Sequence, residues 1–241
     1  MQNSKREGRS YSDTATLAAR EALQDLLNTS NSRDIQGYQT AMYNLGNLLG
    51  EDLAKSPGLA SAKTVLVVST AEDADFLASG VIKALSHSHD IRYAVFWNNH
   101  SSLPNNKSIA PVVNSYYQDG YENADSLVIV KSIISGSCVV KTNLMRLMSH
   151  NKNLLKNVHV ASPVMHVDAK NKLNSEFPAS ISEKFHFSYF ALDSHQLDGT
   201  VLPGIGGQVY QLLGLDDQPA KTGYVPNLVK RQFASSTLLN A

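Results

Sequence analysis

The sequence has one cysteine, one tryptophan, no excess charge of either sign and no long apolar run. The single thiol, Cys138, excludes a disulfide framework and a cysteine-built structural zinc site, and it suits a reducing compartment. Lys and Arg number 21 against 21 Asp and Glu, which argues against a basic nucleic-acid platform or a binder of anionic membranes. Charged residues make up only 17% of the 241, so an acidic metal cage has few carboxylates to draw on. No apolar stretch approaches the roughly 20 residues that span a bilayer, and no apolar segment follows the polar N-terminus. The expectation is a soluble, cytoplasmic protein with no nucleic-acid and no membrane partner.

What is present is 42% hydrophobic residues in a length that suits one large domain. Residues 1–13 read as a polar arm, 14–218 as a single domain, and 219–241 as an extended C-terminal tail carrying Pro219, Gly223 and Pro226. Leu17, Ala18, Ala22, Leu23, Leu26 and Leu27 recur at helical spacing, as do Ile35, Tyr38, Ala41, Met42, Leu45, Leu48 and Leu49 behind an N-cap candidate, Asp34. Thr64 to Val68 is a continuous aliphatic and β-branched run that suits a buried parallel strand. A helical pattern follows from Phe76 to Leu85, then a strand from Ile91 to Trp97 and a polar loop from Asn98 to Ser108. Further on, strands are predicted at Leu127–Val130, Val158–Ala161 and Phe185–Ala191, with helices at Cys138–Met148 and Met165–Leu173. This alternation predicts an α/β fold with a doubly wound, mostly parallel sheet and two preceding helices.

Ligands of such a sheet sit at the carboxyl ends of its strands, so the strand-to-helix turns are the candidate sites. Ser135, Gly136 and Ser137 open a helix, where unpaired N–H groups and the dipole favour an anion and two hydroxyls add donors. The same three residues also serve as an ordinary helix cap. Ser69, Thr70, Ala71, Glu72 and Asp73 follow the first core strand, and their acidic residues also complement a helix dipole. The third turn, Leu202, Pro203, Gly204, Ile205 and Gly206, lies in a Gly-rich stretch whose backbone is able to approach a flat ligand closely. The eight histidines show no metal-ligand spacing; His87 and His89 read as solvated, and no metal ligand is assigned. Cys138 at a helix start admits a lowered thiol pKa, or simply a small residue packed under the sheet. Trp97, Tyr116, Tyr117, Tyr189 and Phe190 read as core or dimer contacts.

The order of these pieces resembles the uracil phosphoribosyltransferase family. Pro111-Val112 with Tyr116-Tyr117, the strand Leu127–Val130 and then Lys131 to Ser137 match the family's Pro-Val-x-Tyr-Tyr run, strand and phosphate loop. Phe190 to Leu197 and Thr200 to Tyr210 match its later strand and Pro-Gly-Leu-Gly run. The resemblance implies a type I phosphoribosyltransferase fold. It implies that Lys131, Ser132, Ser135, Gly136 and Ser137 hold the ribose 5′-phosphate, that Ser69 to Asp73 form the pyrophosphate-side loop, and that Leu202 to Gly206 read the base. It further implies a nucleotide or phosphoribosyl pyrophosphate as ligand, a homodimer, and Mg2+ if the transferase is active. The departures are specific: Lys131 stands where the family has an Asp for the ribose hydroxyls, and Gly206 to Tyr210 lacks the family's Asp residues. The arginine used on pyrophosphate is also missing, leaving Glu72, Asp73 or Asp75 as substitute metal ligands and Lys131 as a point charge for phosphate. The expectation is a binding protein whose transfer chemistry is weakened, altered or lost. The alternatives are an active transferase, or a non-catalytic dimeric subunit that meets a protein partner through the N-terminal helices or the C-terminal tail.

Overall fold

The computed structural model describes residues 8–102, 108–150 and 156–238, with side chains for all of these except 102 and 234–238. The first seven residues of the polar arm, part of the loop 98–108 and the last three residues of the tail lie outside that set. A short strand β1 (Arg9–Tyr11) leads to α1 (Leu17–Ser32) and α2 (Ile35–Leu53). Thr16 caps α1 by accepting from the Ala19 N–H; Asp34, the cap that the sequence offers, caps α2 by accepting from the Gly37 N–H. The first βα unit is β2 (Thr64–Thr70), α3 (Ala71–Asp73), a π-helical turn at Ala74–Ala78, and α4 (Ser79–Leu85). Then come β3 (Asp90–Asn98), the short β4 (Ser101–Ser102) and β5 (Ser108–Ile109), and β6 (Val112–Tyr117). A second run holds β7 (Ser126–Val130), β8 (Ile133–Ile134), α5 (Cys138–His150), β9 (Val158–His166), α6 (Ala169–Ser175) and α7 (Ala179–Ser182). The chain closes with β10 (Phe185–Asp193), β11 (His195–Leu197), β12 (Thr200–Leu202), α8 (Val209–Leu212), α9 (Pro219–Thr222) and α10 (Asn227–Leu238).

The main sheet runs β1-β10-β9-β7-β2-β3-β6, with β8 continuing the pairing to β9 where β7 ends. The five central strands are parallel, and only the edges, β1 and β6, are antiparallel, which bears out the expected doubly wound α/β sheet. Side chains alternate between two cores. Val65 and Val67 of β2 face α1 and α2, while Leu66 and Val68 join Leu144 and Leu147 of α5. Both faces are covered, so β2 is apolar throughout rather than alternating. Gly46 and Gly80 let α2 touch the π-helical turn and α4 backbone to backbone: a methyl group on Gly46 would fall inside contact distance of the Leu77 carbonyl, and one on Gly80 inside that of the Tyr43 carbonyl.

Three sequence expectations change. β9 continues past Ala161 to His166, so Met165 and His166 are strand rather than the start of a helix; all nine residues are buried, and the helix begins at Ala169. Residues 69–73 are not a loop, because β2 runs through Thr70 and α3 begins at Ala71. The segment from Pro219, expected to be extended, folds into α9 and α10. No helix among the described residues is long and apolar enough to cross a membrane.

One buried group gives the fold a pH dependence. His159, fully buried on β9, stacks on His186 with ring centroids 4.9 Å apart, and its Nε2 has no hydrogen-bond partner. Burial, helped by His186, lowers its pKa from 6.5 to about 4. The unfolded chain takes up this proton near the ordinary value while the folded chain does not. The contribution to stability is therefore complete above that value and is lost as pH falls toward the folded pKa. The expected loss is about 2 kcal/mol by about pH 5, read from urea unfolding. His159→Phe should flatten that slope; an unchanged slope would assign it to other groups.

Candidate active site

The carboxyl ends of β2, β3, β7 and β9 converge on one edge of the sheet, and the predicted site residues fall there. Lys131 follows β7 and donates its backbone N–H to the Ala161 carbonyl at 3.0 Å. Its ammonium is buried and donates to Glu72 Oε1 at 3.1 Å and to Asp73 Oδ2 at 2.8 Å. Asp73 also accepts from Thr70 Oγ1 at 2.8 Å and from the Ser132 N–H at 3.2 Å. Burial alone would lower the Lys131 pKa, but Asp73 and then Glu72 outweigh it and hold the group well above the ordinary lysine value. The chain thus joins a residue expected at the phosphate to two expected at the pyrophosphate, in one closed ion cluster. Lys131 is not the free point charge that the sequence suggested.

The turn expected to hold a phosphate is open. Ser135, Gly136 and Ser137 are partly exposed, and a Cβ built on Gly136 meets nothing within 4 Å. The Ser137 carbonyl accepts from the Lys141 N–H at 2.8 Å, so the turn feeds directly into α5, a helix of 13 residues. The Ser137 hydroxyl donates to Glu176 Oε1 at 3.0 Å, and Lys141 pairs with the other Glu176 oxygen. The Lys141 bond holds the Glu176 carboxyl below its usual range, against the opposing effect of burial. Ser132, just before β8, is fully buried and its hydroxyl has no partner. Burial raises the Cys138 thiol pKa rather than lowering it, and its Sγ lies 3.2 Å from the Ser108 carbonyl.

The loop Leu202 to Gly206, with a cis peptide before Pro203, is held from behind by residues that sequence reasoning left without a role. Arg9 forms a two-point ion pair with Asp193, at 2.7 and 2.6 Å, and gives another hydrogen bond to the Gly204 carbonyl at 2.6 Å. Asp193 accepts from the Gly204 N–H at 2.8 Å. Tyr38 donates its hydroxyl to the Ile205 carbonyl at 2.9 Å, and Ser30 donates to the Gly206 carbonyl at 2.8 Å. Much of the backbone expected to read a base is thus already hydrogen-bonded to the protein. A cavity of about 520 Å³ lies beside this loop, lined by Ser30, Arg33, Tyr38, Gly206 and Gln208. The signal available in sequence was thin: Asp193 at a strand end, and a Tyr on an otherwise apolar helix face.

The C-terminal segment closes the β3 side. Gln218 accepts from the His100 N–H at 2.8 Å and donates to the His100 carbonyl at 3.2 Å. Trp97 Nε1 donates to the Tyr224 carbonyl at 2.7 Å. Asp75, on the π-helical turn, accepts from the Tyr224 hydroxyl at 2.6 Å and from the Asn227 and Leu228 N–H groups at 2.9 and 2.8 Å, so it caps α10. The neighbouring Tyr210 hydroxyl is pushed up to about 12, by burial first and by Glu72 next. The carboxylates that the sequence offers to a magnesium ion are therefore engaged, Glu72 and Asp73 by Lys131 and Asp75 by the tail. No set of three or more His, Cys, Asp or Glu converges as a metal site among the described residues. This arrangement does not fit a divalent cation.

No family model matches the chain, and no curated protein sequence does. Solved structures do. The AQ2163 protein of Aquifex aeolicus superposes with a TM-score of 0.59 at 13% identity, over 81% of this chain and 95% of that one. At such identity the likeness is one of fold alone. Looser matches are an adenine phosphoribosyltransferase from Trypanosoma brucei in complex with AMP, pyrophosphate and ribose-5-phosphate, and a hypoxanthine phosphoribosyltransferase from Staphylococcus aureus. The first has a TM-score of 0.42 at 11% identity, over 70% of this chain and 69% of that one. The second has 0.35 at 14%, over 69% and 74%.

Proposed function

We propose that this chain is a phosphoribosyltransferase-like protein that binds a nucleotide or phosphoribosyl pyrophosphate by its 5′-phosphate at Ser135-Gly136-Ser137, and that ribosyl transfer has been lost. The observation that carries this reading is the open space at Gly136, at the start of a long helix and at the carboxyl edge of a parallel sheet. The first N–H groups of α5 have no partner within the helix. Glu176 takes the Ser137 hydroxyl, which leaves those N–H groups and the Ser135 hydroxyl as the donors. Loss of transfer is supported by the ion cluster. Ribosyl transfer develops positive charge on the sugar and releases pyrophosphate as a metal complex, so it needs carboxylates and cations free to meet both. Here Lys131 neutralises one carboxylate and shares the second. Uracil as the base rests on the sequence resemblance alone.

Gly136→Val tests the cradle. A Cβ at this position meets no protein atom within 4 Å, so the melting temperature should stay unchanged, while the side chain intrudes on the proposed place of the anion. Calorimetry with uridine 5′-monophosphate and ribose 5-phosphate should show binding to the wild type and a loss of at least about tenfold in the variant. Equal affinity, or no binding to the wild type at millimolar ligand, sinks the cradle. A transfer assay with labelled uracil, phosphoribosyl pyrophosphate and magnesium should yield no nucleotide; detectable product overturns the loss of chemistry.

A further inference from the structure

We infer that the cavity between the α1–α2 turn and the loop after β12 binds a small monocarboxylate that also carries an amide and an aliphatic group, the chemistry of an N-acyl amino acid. The site is separate from the cradle and stands without it. Its volume of about 520 Å³ falls in the range of small-molecule sites. Arg33 fixes the carboxylate end. It closes α1 in the left-handed region, with φ of 57°, and its backbone N–H meets the Ser30 and Thr29 carbonyls. Glycine would close the helix in the same way without the crowding that a β-carbon brings there. The arginine therefore stands at a backbone cost, on a turn that the Asp34 cap of α2 holds from its other side. Arg33 lines the cavity, and its guanidinium has no hydrogen bond or ion pair among the described residues. Such a planar cation takes a carboxylate at two points. The other charged residue of the lining is Asp34, whose Oδ1 accepts from the Gly37 N–H at 2.9 Å. Its negative charge beside Arg33 favours a monoanion over a phosphate dianion.

The remaining walls supply the other two features. Gln208 and Gln211 line the cavity, are exposed, and have side chains without a partner among the described residues. Each offers a donor and an acceptor, which an amide of the ligand matches. The hydroxyls of the lining donate elsewhere: Ser30 to the Gly206 carbonyl, Tyr38 to that of Ile205 and Thr29 to that of Asp25. Ile35, which is 46% exposed in the first turn of α2, and Leu212 of α8 form the apolar part. An aliphatic group seated there covers Ile35, two positions from the guanidinium that holds the acid. A positive charge at the end of α1 also complements the helix dipole, and the experiment separates that role from binding.

The experiment is calorimetry on the full chain with N-acetyl-L-leucine as the acid and N-acetyl-L-leucinamide as its uncharged counterpart. The acid should bind at millimolar concentration, and the amide at least about tenfold more weakly. Arg33→Lys keeps the positive charge at the helix end, so its melting temperature should hold, while loss of the two-point contact should weaken the acid about fivefold or more. Arg33→Gln should bring the acid down to the affinity of the amide. Gly136→Val should bind the acid as the wild type does. No binding of the acid to the wild type overturns the site, and so does equal binding of acid and amide. Unchanged affinity in either Arg33 variant overturns the assignment of the carboxylate to Arg33. A loss in Gly136→Val places the ligand at the cradle instead and overturns a separate site. The comparison of acid and amide on the wild type decides the matter if a variant does not fold.

Discussion

Replacing Lys131 with methionine is expected to lower the unfolding free energy by about 3–5 kcal/mol near neutral pH. The side chain volume is kept, so the loss is electrostatic. Glu72 and Asp73 are 7% and 1% exposed, and without the ammonium they would stand as two neighbouring carboxylates in low dielectric. One of them must then take up a proton, which makes the effect depend on pH in a definite direction: the gap between variant and wild type narrows as the solution is acidified. Urea unfolding of both proteins across the acid range measures it. A double variant, Lys131→Met with Asp73→Asn, should recover part of the loss, because one carboxylate then remains rather than two. A loss below about 1 kcal/mol would mean that the cluster is solvated like a surface pair.

The second large effect is expected on the β10 flank of the sheet. Asp193 is fully buried, accepts two hydrogen bonds from Arg9 and a third from the Gly204 N–H, and ties three distant pieces of chain together. Asp193→Ala leaves a guanidinium that is 3% exposed without its counter-charge and a buried N–H without an acceptor. The expected loss is about 3–5 kcal/mol. It should appear locally before it appears globally, as early proteolysis of the segment around Arg9. Arg9→Ala should resemble it, and a double-mutant cycle should return a coupling energy of about 0.5–3 kcal/mol. Independent, additive losses would show that the pair does not act as a unit.

The contrast between these two networks explains what the sequence did and did not reveal. Strands β2, β3 and β7 are legible because a strand covered on both faces has to be apolar at every position, and Thr64 to Val68 and Leu127 to Val130 have that composition. The end of β9 was hidden by Pro163 and His166, residues that look like breakers but here sit buried beside β10 and β8. The tail was misread for a related reason. Pro219 occupies the first turn of α9, Gly223 ends it with φ of 69°, and the Pro226 carbonyl receives the first hydrogen bonds of α10. Each punctuates a helix rather than preventing one.

Within the site, loop positions were legible and partnerships were not. The Ser-Gly-Ser turn announces itself by local chemistry, and the structure leaves it open. Lys131 and Glu72 are 59 residues apart, and Arg9 and Asp193 are 184 apart, so nothing local records that these charges meet. A lysine replacing a carboxylate reads from sequence as a gained cation. In the folded chain it supplies no free one, because two carboxylates on the neighbouring strand-to-helix turn absorb it.

The chain's lone tryptophan acquires a use from its surroundings. Trp97 is almost fully buried at the end of β3, and its indole N–H reaches out of the domain core to a carbonyl of the C-terminal segment. The same segment owes the cap of its last helix to Asp75, at the head of the neighbouring unit. Indole emission is sensitive to that hydrogen bond, and no second indole masks it. The protein therefore carries an intrinsic optical gauge of whether its C-terminal segment is seated against the end of β3, readable without a label.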